Sequence, residues 1–90
     1  MSDPRTKVIP LPGKVKVGGL VLTQVTMREP FVEDELDAAA EAALSGKGTQ
    51  AEVEVRLMCI LTGIDYDQMV KAPRGFRLIL AAALMDFTST

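Results

Sequence analysis

Two periods divide the chain. Up to Met27, apolar and polar residues tend to alternate, as in Lys14-Val15-Lys16-Val17, and Pro4, Pro10, Pro12, Gly13, Gly18 and Gly19 punctuate the segment. Alternation with β-branched residues and turn formers predicts strands, and Gly18-Gly19 can supply the positive φ values of a two-residue turn. A β-hairpin is therefore expected, with strands at 14–17 and 20–27. On the second strand Val21, Thr23, Val25 and Met27 share one face, and Leu20, Leu22, Gln24 and Thr26 share the other. An isolated hairpin is marginal in water, so this one is expected to pack on helices.

From Val32 the period lengthens to that of a helix. Val32, Leu36, Ala40, Ala43 and Leu44 recur at three- and four-residue spacing and predict the inward face of an amphipathic helix. Glu33, Asp34, Glu35 and Asp37 lie in its first turns, at the positive end of the helix dipole. Ser45-Gly46-Lys47-Gly48 supplies a stop and a link, and Thr49-Gln50-Ala51-Glu52 has the Thr-x-x-Glu form of a capping box. A second helix follows through Val53, Leu57, Ile60 and Leu61 to Thr62, and Gly63 suits the left-handed residue beyond its end. Asp65 to Gln68 is expected to open a helix of two turns at most, with the Asp65 side chain capping it and Gln68 reaching back.

The last helix is expected from about Pro73 to Phe87. At 100° per residue Phe76, Leu80, Ala83, Leu84 and Phe87 form one stripe, while Leu78 and Met85 lie on the opposite side. A helix apolar on two faces needs cover on both, and the core of a small domain covers one. The second face is expected to meet a partner, unless the hairpin or the second helix covers it. The pattern predicts an α+β, mostly helical fold: an N-terminal β-hairpin followed by three or four short helices. Residues 1–12 are expected to be a flexible N-terminus and residues 13–88 a single domain, with Thr88-Ser89-Thr90 loosely tethered.

Composition narrows the chemistry. Apolar residues make up 48% of the 90 and aromatics 4%, with no Trp, so the interior must be built from aliphatic and Met side chains. With no His and a single cysteine, Cys59, the chain can make neither an internal disulfide nor a His/Cys zinc site from its own residues. Cys59 is expected to be a small buried apolar residue. No carboxylate or lysine stands in a recognisable arrangement with Ser2, Ser45, Ser89 or Cys59, so a non-enzymatic protein with no cofactor is expected. Glu33, Asp34, Glu35 and Asp37 lack the ligand spacing and central Gly of a calcium loop, and Gly46-Lys47-Gly48-Thr49 is only a fragment of a phosphate loop.

Charge is segregated. Residues 1–28 hold five basic groups and one acidic group, residues 29–54 one and eight, and residues 55–90 four and three. Basic groups this scattered do not make a duplex-binding face, so neither nucleic acid nor a membrane is expected as partner. The longest strictly apolar run, Leu78 to Met85, has eight residues, against roughly 20 for a membrane span. The N-terminal residues lack the apolar core of a signal peptide, and a cytoplasmic protein is expected.

Two stretches resemble a known family. Val25-Thr26-Met27-Arg28-Glu29-Pro30 leads from the Gly-turned hairpin to the acidic Asp34; Leu61-Thr62-Gly63-Ile64-Asp65, with Asp67 and Met69, precedes Pro73, Phe76, Leu80 and Phe87. Over roughly residues 14–87 the chain resembles the tail assembly chaperones of Mu- and P2-like contractile-tailed phages and prophages. Met27 stands where that family usually has Leu, Tyr66 and Asp67 within the short helix cap also depart from its pattern, and the Ala-rich stretch 38–43 matches nothing diagnostic. The resemblance implies a non-catalytic protein of the bacterial host cytoplasm, not kept in the mature virion, that coats the tape measure protein until tail tube subunits replace it. It also implies contact with the tail tube protein through a longer, frameshifted form; homo-oligomerisation stays open. Met58, Leu78, Ile79 and Met85 are the residues expected to touch the partner. Two other readings stand beside it: a structural tail or connector component, and a small regulatory adaptor whose Asp65–Phe87 helix pair mimics a helix-turn-helix.

Overall fold

Gly18 and Gly19, at φ 53° and 95°, turn the chain between two antiparallel strands, β1 (Thr6–Val17) and β2 (Leu20–Arg28). Both residues lie at positive φ, as a two-residue turn matched to the strand twist requires. The computed structural model describes residues 5–88, in which four helices follow: α1 (Val32–Leu44), α2 (Gln50–Thr62), α3 (Tyr66–Met69) and α4 (Arg74–Thr88). The fold is α+β and mostly helical, as the two periods predict.

β1 begins at Thr6, well before the expected Lys14, so residues 6–12 belong to the hairpin and are not a loose N-terminal tail. Ile9 and Leu11 explain the difference, because both are buried in the core. Pro10 and Pro12 are tolerated because the ladder breaks between Pro10 and Val15, where β1 bulges away from the register and Gly13 takes φ 80°. The rest of the expected flexible N-terminus, residues 1–4, lies outside the described residues, as do Ser89 and Thr90; Thr88 is the last residue of α4. On β2, Val25 and Met27 point inward as one face of the alternation predicts, but Val21 and Thr23 of the same set are exposed and Leu22 is half-buried instead. The bulge in β1 separates the two halves of the ladder.

The core lies between hairpin and helices. Val17, Val25 and Met27 meet Leu57, Met58 and Leu61 of α2, Met69 of α3, and Phe76, Leu80, Ala83 and Phe87 of α4. The α4 stripe is seated as its spacing predicts, and only Leu84 within it is half-buried. Local signals around α2 hold in part: Thr49 Oγ1 accepts the Glu52 N–H at 3.2 Å and Gly63 closes the helix at φ 78°, but the Glu52 carboxylate turns to Arg56 and Tyr66 instead of completing the capping box. α3 departs in detail. Asp65 precedes the helix without a side-chain cap, and its carbonyl takes the Gln68 and Met69 N–H groups.

The hairpin turn is fitted against α3 with no space to spare. A Cβ on Gly18 would lie 2.5 Å from the Gln68 Cα, whereas one on Gly19 would meet nothing within 4 Å. Gly18→Ala therefore adds a backbone clash to the left-handed penalty of roughly 1–2 kcal/mol that Gly19→Ala carries by itself. Denaturant unfolding is expected to show Gly18→Ala as the more destabilising of the two by at least about 1 kcal/mol.

Candidate functional site

α4 carries two apolar faces with different fates. Phe76, Leu80, Ala83 and Phe87 are buried, while Leu78, Ala82 and Met85, at four- and three-residue steps, face outward. Leu78 is 59% exposed and Met85 70%. Neither the hairpin nor α2 covers them. Ile79, between the two faces, is half-buried; with Ala82, Ala83 and Asp86 it borders a shallow groove whose other wall is Lys7 to Pro10 of β1.

Met58 does not belong to this surface. It is 2% exposed and packs in the core, on the α2 face it shares with Leu57 and Leu61. Its three-residue spacing from Leu61 is the signal that places it inward. Met58 lies at the floor of a separate pocket with Val55, Met69, Val70 and Ala72, and the outward candidate face reduces to Leu78 and Met85 with Ile79 at its edge.

α1 holds the larger surprise. Its inward residues are Asp34, Ala38 and Ala42, and the stripe expected in the core faces water. Val32 is 73% exposed, Leu36 65% and Leu44 89%, with Ala40 and Ala43 exposed among them. The cause sits at the exit of the hairpin. Arg28 donates from both terminal nitrogens to Asp34, at 2.7 Å and 2.6 Å, and the Phe31 N–H donates to the same carboxylate at 2.8 Å. This fork fixes the rotation of α1 about its axis, and Ala38 and Ala42, one and two turns on, are small enough to bring the helix close to its neighbour. The hydrogen bonds from Arg28 hold the Asp34 carboxyl below its ordinary pKa; the Phe31 N–H adds to the effect and burial opposes it.

No family model, curated protein or solved structure matches the chain. The surface must be read from its own chemistry. Arg56, Glu52 and Tyr66 form a closed polar group: the Tyr66 hydroxyl donates to Glu52 at 2.6 Å, Arg56 donates to the same oxygen at 3.0 Å, and the guanidinium lies 4.1 Å from the Tyr66 ring centre. It spends its hydrogen-bonding capacity on itself and ties α3 to α2. Cys59 is half-buried, not fully buried as expected, and burial pushes its thiol up to about 11, which keeps it protonated at neutral pH. Among the described residues no three His, Cys, Asp or Glu side chains converge as a metal site, and no helix is long and apolar enough to cross a membrane.

The acidic residues of the hairpin exit, α1 and α2 divide into two sets. Glu29 is paired with Arg5, Asp34 with Arg28, Glu52 with Arg56 and Glu54 with Arg77. Glu33, Glu35, Asp37 and Glu41, all on α1, are exposed and have no ion-pair or hydrogen-bond partner among the described residues.

Proposed function

We propose that the protein is a non-catalytic binding module that shields an apolar helical segment of a larger partner, in the manner of a phage tail assembly chaperone holding the tape measure protein soluble in the host cytoplasm. The observation that carries this reading is the outward apolar row Leu78, Ala82 and Met85 on a helix whose other stripe already fills the core. A Met- and Leu-bearing helix face takes apolar helices by adaptable packing and releases them readily, which suits a chaperone that tube subunits must displace. The resemblance in Val25 to Pro30 ahead of Asp34, and in Leu61 to Phe87, supports the same assignment: the first stretch holds the Arg28 and Asp34 of the fork that orients α1, the second the helix stop and the seat of α4.

Co-expression with a phage tape measure protein, the long helical partner that the resemblance implies, is the test. The partner is expected to become soluble and to copurify, and Leu78→Asp with Met85→Asp should abolish copurification. Both side chains are exposed, so the melting transition of the double variant should stay cooperative, with the cost of each change within roughly 0.5 kcal/mol. Copurification undiminished by the double substitution would refute this face, and a partner left insoluble would refute the chaperone role.

A further inference from the structure

We infer that α1 is a second docking surface, built for a basic amphipathic helix of another protein. The outward stripe Val32, Leu36, Ala40, Ala43 and Leu44 is about 18 Å long, the length of three helical turns and a little more. On one flank Glu33, Asp37 and Glu41 stand at four-residue intervals, and Glu35 lies on the other. Like charges at that spacing repel one another and weaken their own helix. Their carboxylates have no such partner, whereas Glu29, Asp34, Glu52, Glu54 and Asp86 are held by arginines or lysines of the same chain, and Asp65 and Asp67 at α3 are the other unpaired acids among the described residues. An apolar row edged by unpaired acids is complementary to a helix with an apolar row edged by Lys or Arg, which would neutralise the carboxylates while covering the stripe.

Charge also selects against pairing two copies of this chain through α1 itself. Two α1 faces brought together would set eight free carboxylates against each other. The other outward face, on α4, offers α1 a single unpaired cation in line with its apolar row, Arg74. The α1 surface is distinct from the α4 row and does not depend on the role proposed for it.

The test uses the whole protein and a labelled Leu/Lys amphipathic peptide of about fourteen residues, long enough to lie along α1. Fluorescence anisotropy is expected to show saturable binding that weakens as salt rises. Val32→Ser with Leu36→Ser should weaken it about tenfold or more, and Asp37→Asn with Glu41→Gln should weaken it and flatten the salt dependence. Leu78→Ser with Met85→Ser should leave the salt-dependent part of the binding in place, because no unpaired acid flanks that row, and this separates the α1 surface from the α4 face. Equal binding of a scrambled peptide of the same composition would overturn the proposal, since charge alone would then suffice. So would peptide binding indifferent to the α1 substitutions, or a dimer in sedimentation that Leu36→Ser dissolves.

Discussion

Phe76→Ala is expected to remove about a third or more of the protein's stability, while Leu78→Ala, two residues away on the same helix, leaves it nearly unchanged. Phe76 is 2% exposed and is the largest of the fully buried side chains. Truncating a core Phe to Ala removes its transfer free energy and leaves a cavity that the neighbours fill only in part, at a cost of about 3–5 kcal/mol. A chain of this length has of order 5–10 kcal/mol in total. Its core has few aromatic residues to spare: Phe31 is exposed, and Phe87 is the other buried ring. Thermal melts followed by circular dichroism check both variants, and a cooperative transition for Phe76→Ala near that of the wild type would contradict the packing described for α4.

The fork between Arg28 and Asp34 is expected to give the second-largest effect. Arg28→Met keeps the apolar stem of the side chain and removes both hydrogen bonds, leaving the buried Asp34 carboxylate with the Phe31 N–H. Breaking a fully buried pair in this way costs about 3–5 kcal/mol; Arg28 keeps 30% of its side chain in water, so about 2–3 kcal/mol is expected at neutral pH. The pH dependence has a definite sign. The Asp34 pKa is lowered in the folded protein, so its contribution is complete above the unfolded value of about 3.9 and is lost as pH falls through the lower folded value. In Arg28→Met the unpaired carboxyl takes up a proton more easily, and the stability gap to the wild type should close below about pH 4. Denaturant titrations from neutral to acid pH measure it; a gap that stays constant would mean that Arg28 acts through packing alone.

That fork also explains where reading the residues in order succeeds and where it fails. The turn at Gly18-Gly19, the cap at Thr49, the stop at Gly63 and the buried stripe of α4 are local signals: each depends on residues within a turn or two, and each is found in place. The rotation of α1 is not local. Its sequence offers two packing faces, a larger one through Val32 and Leu36 and a smaller one through Ala38 and Ala42, and apolar size alone favours the first. A bidentate contact from β2 selects the second, and spacing within α1 carries no trace of it. The length of β1 was hidden for a related reason. Pro10 and Pro12 look like breakers until a bulge is allowed between Pro10 and Val15, after which Ile9 and Leu11 can reach the core. Of the candidate surface, Leu78 and Met85 were legible from the helical angle, and Met58 could have been set aside by its spacing from Leu61.

The bulge has a consequence for the protein's life in a crowded cell. In a sheet of two strands each is an edge strand, and a long regular edge is a template on which another chain can add a strand. β1 is twelve residues long, but its ladder is interrupted after Pro10, and at Pro10 and Pro12 the backbone has no hydrogen to offer. An incoming strand finds five residues of regular pairing and then a misaligned stretch. The same irregularity that lets Ile9 and Leu11 reach the interior thus works against runaway β-polymerisation, a safeguard of particular value to a protein that already exposes two greasy helices.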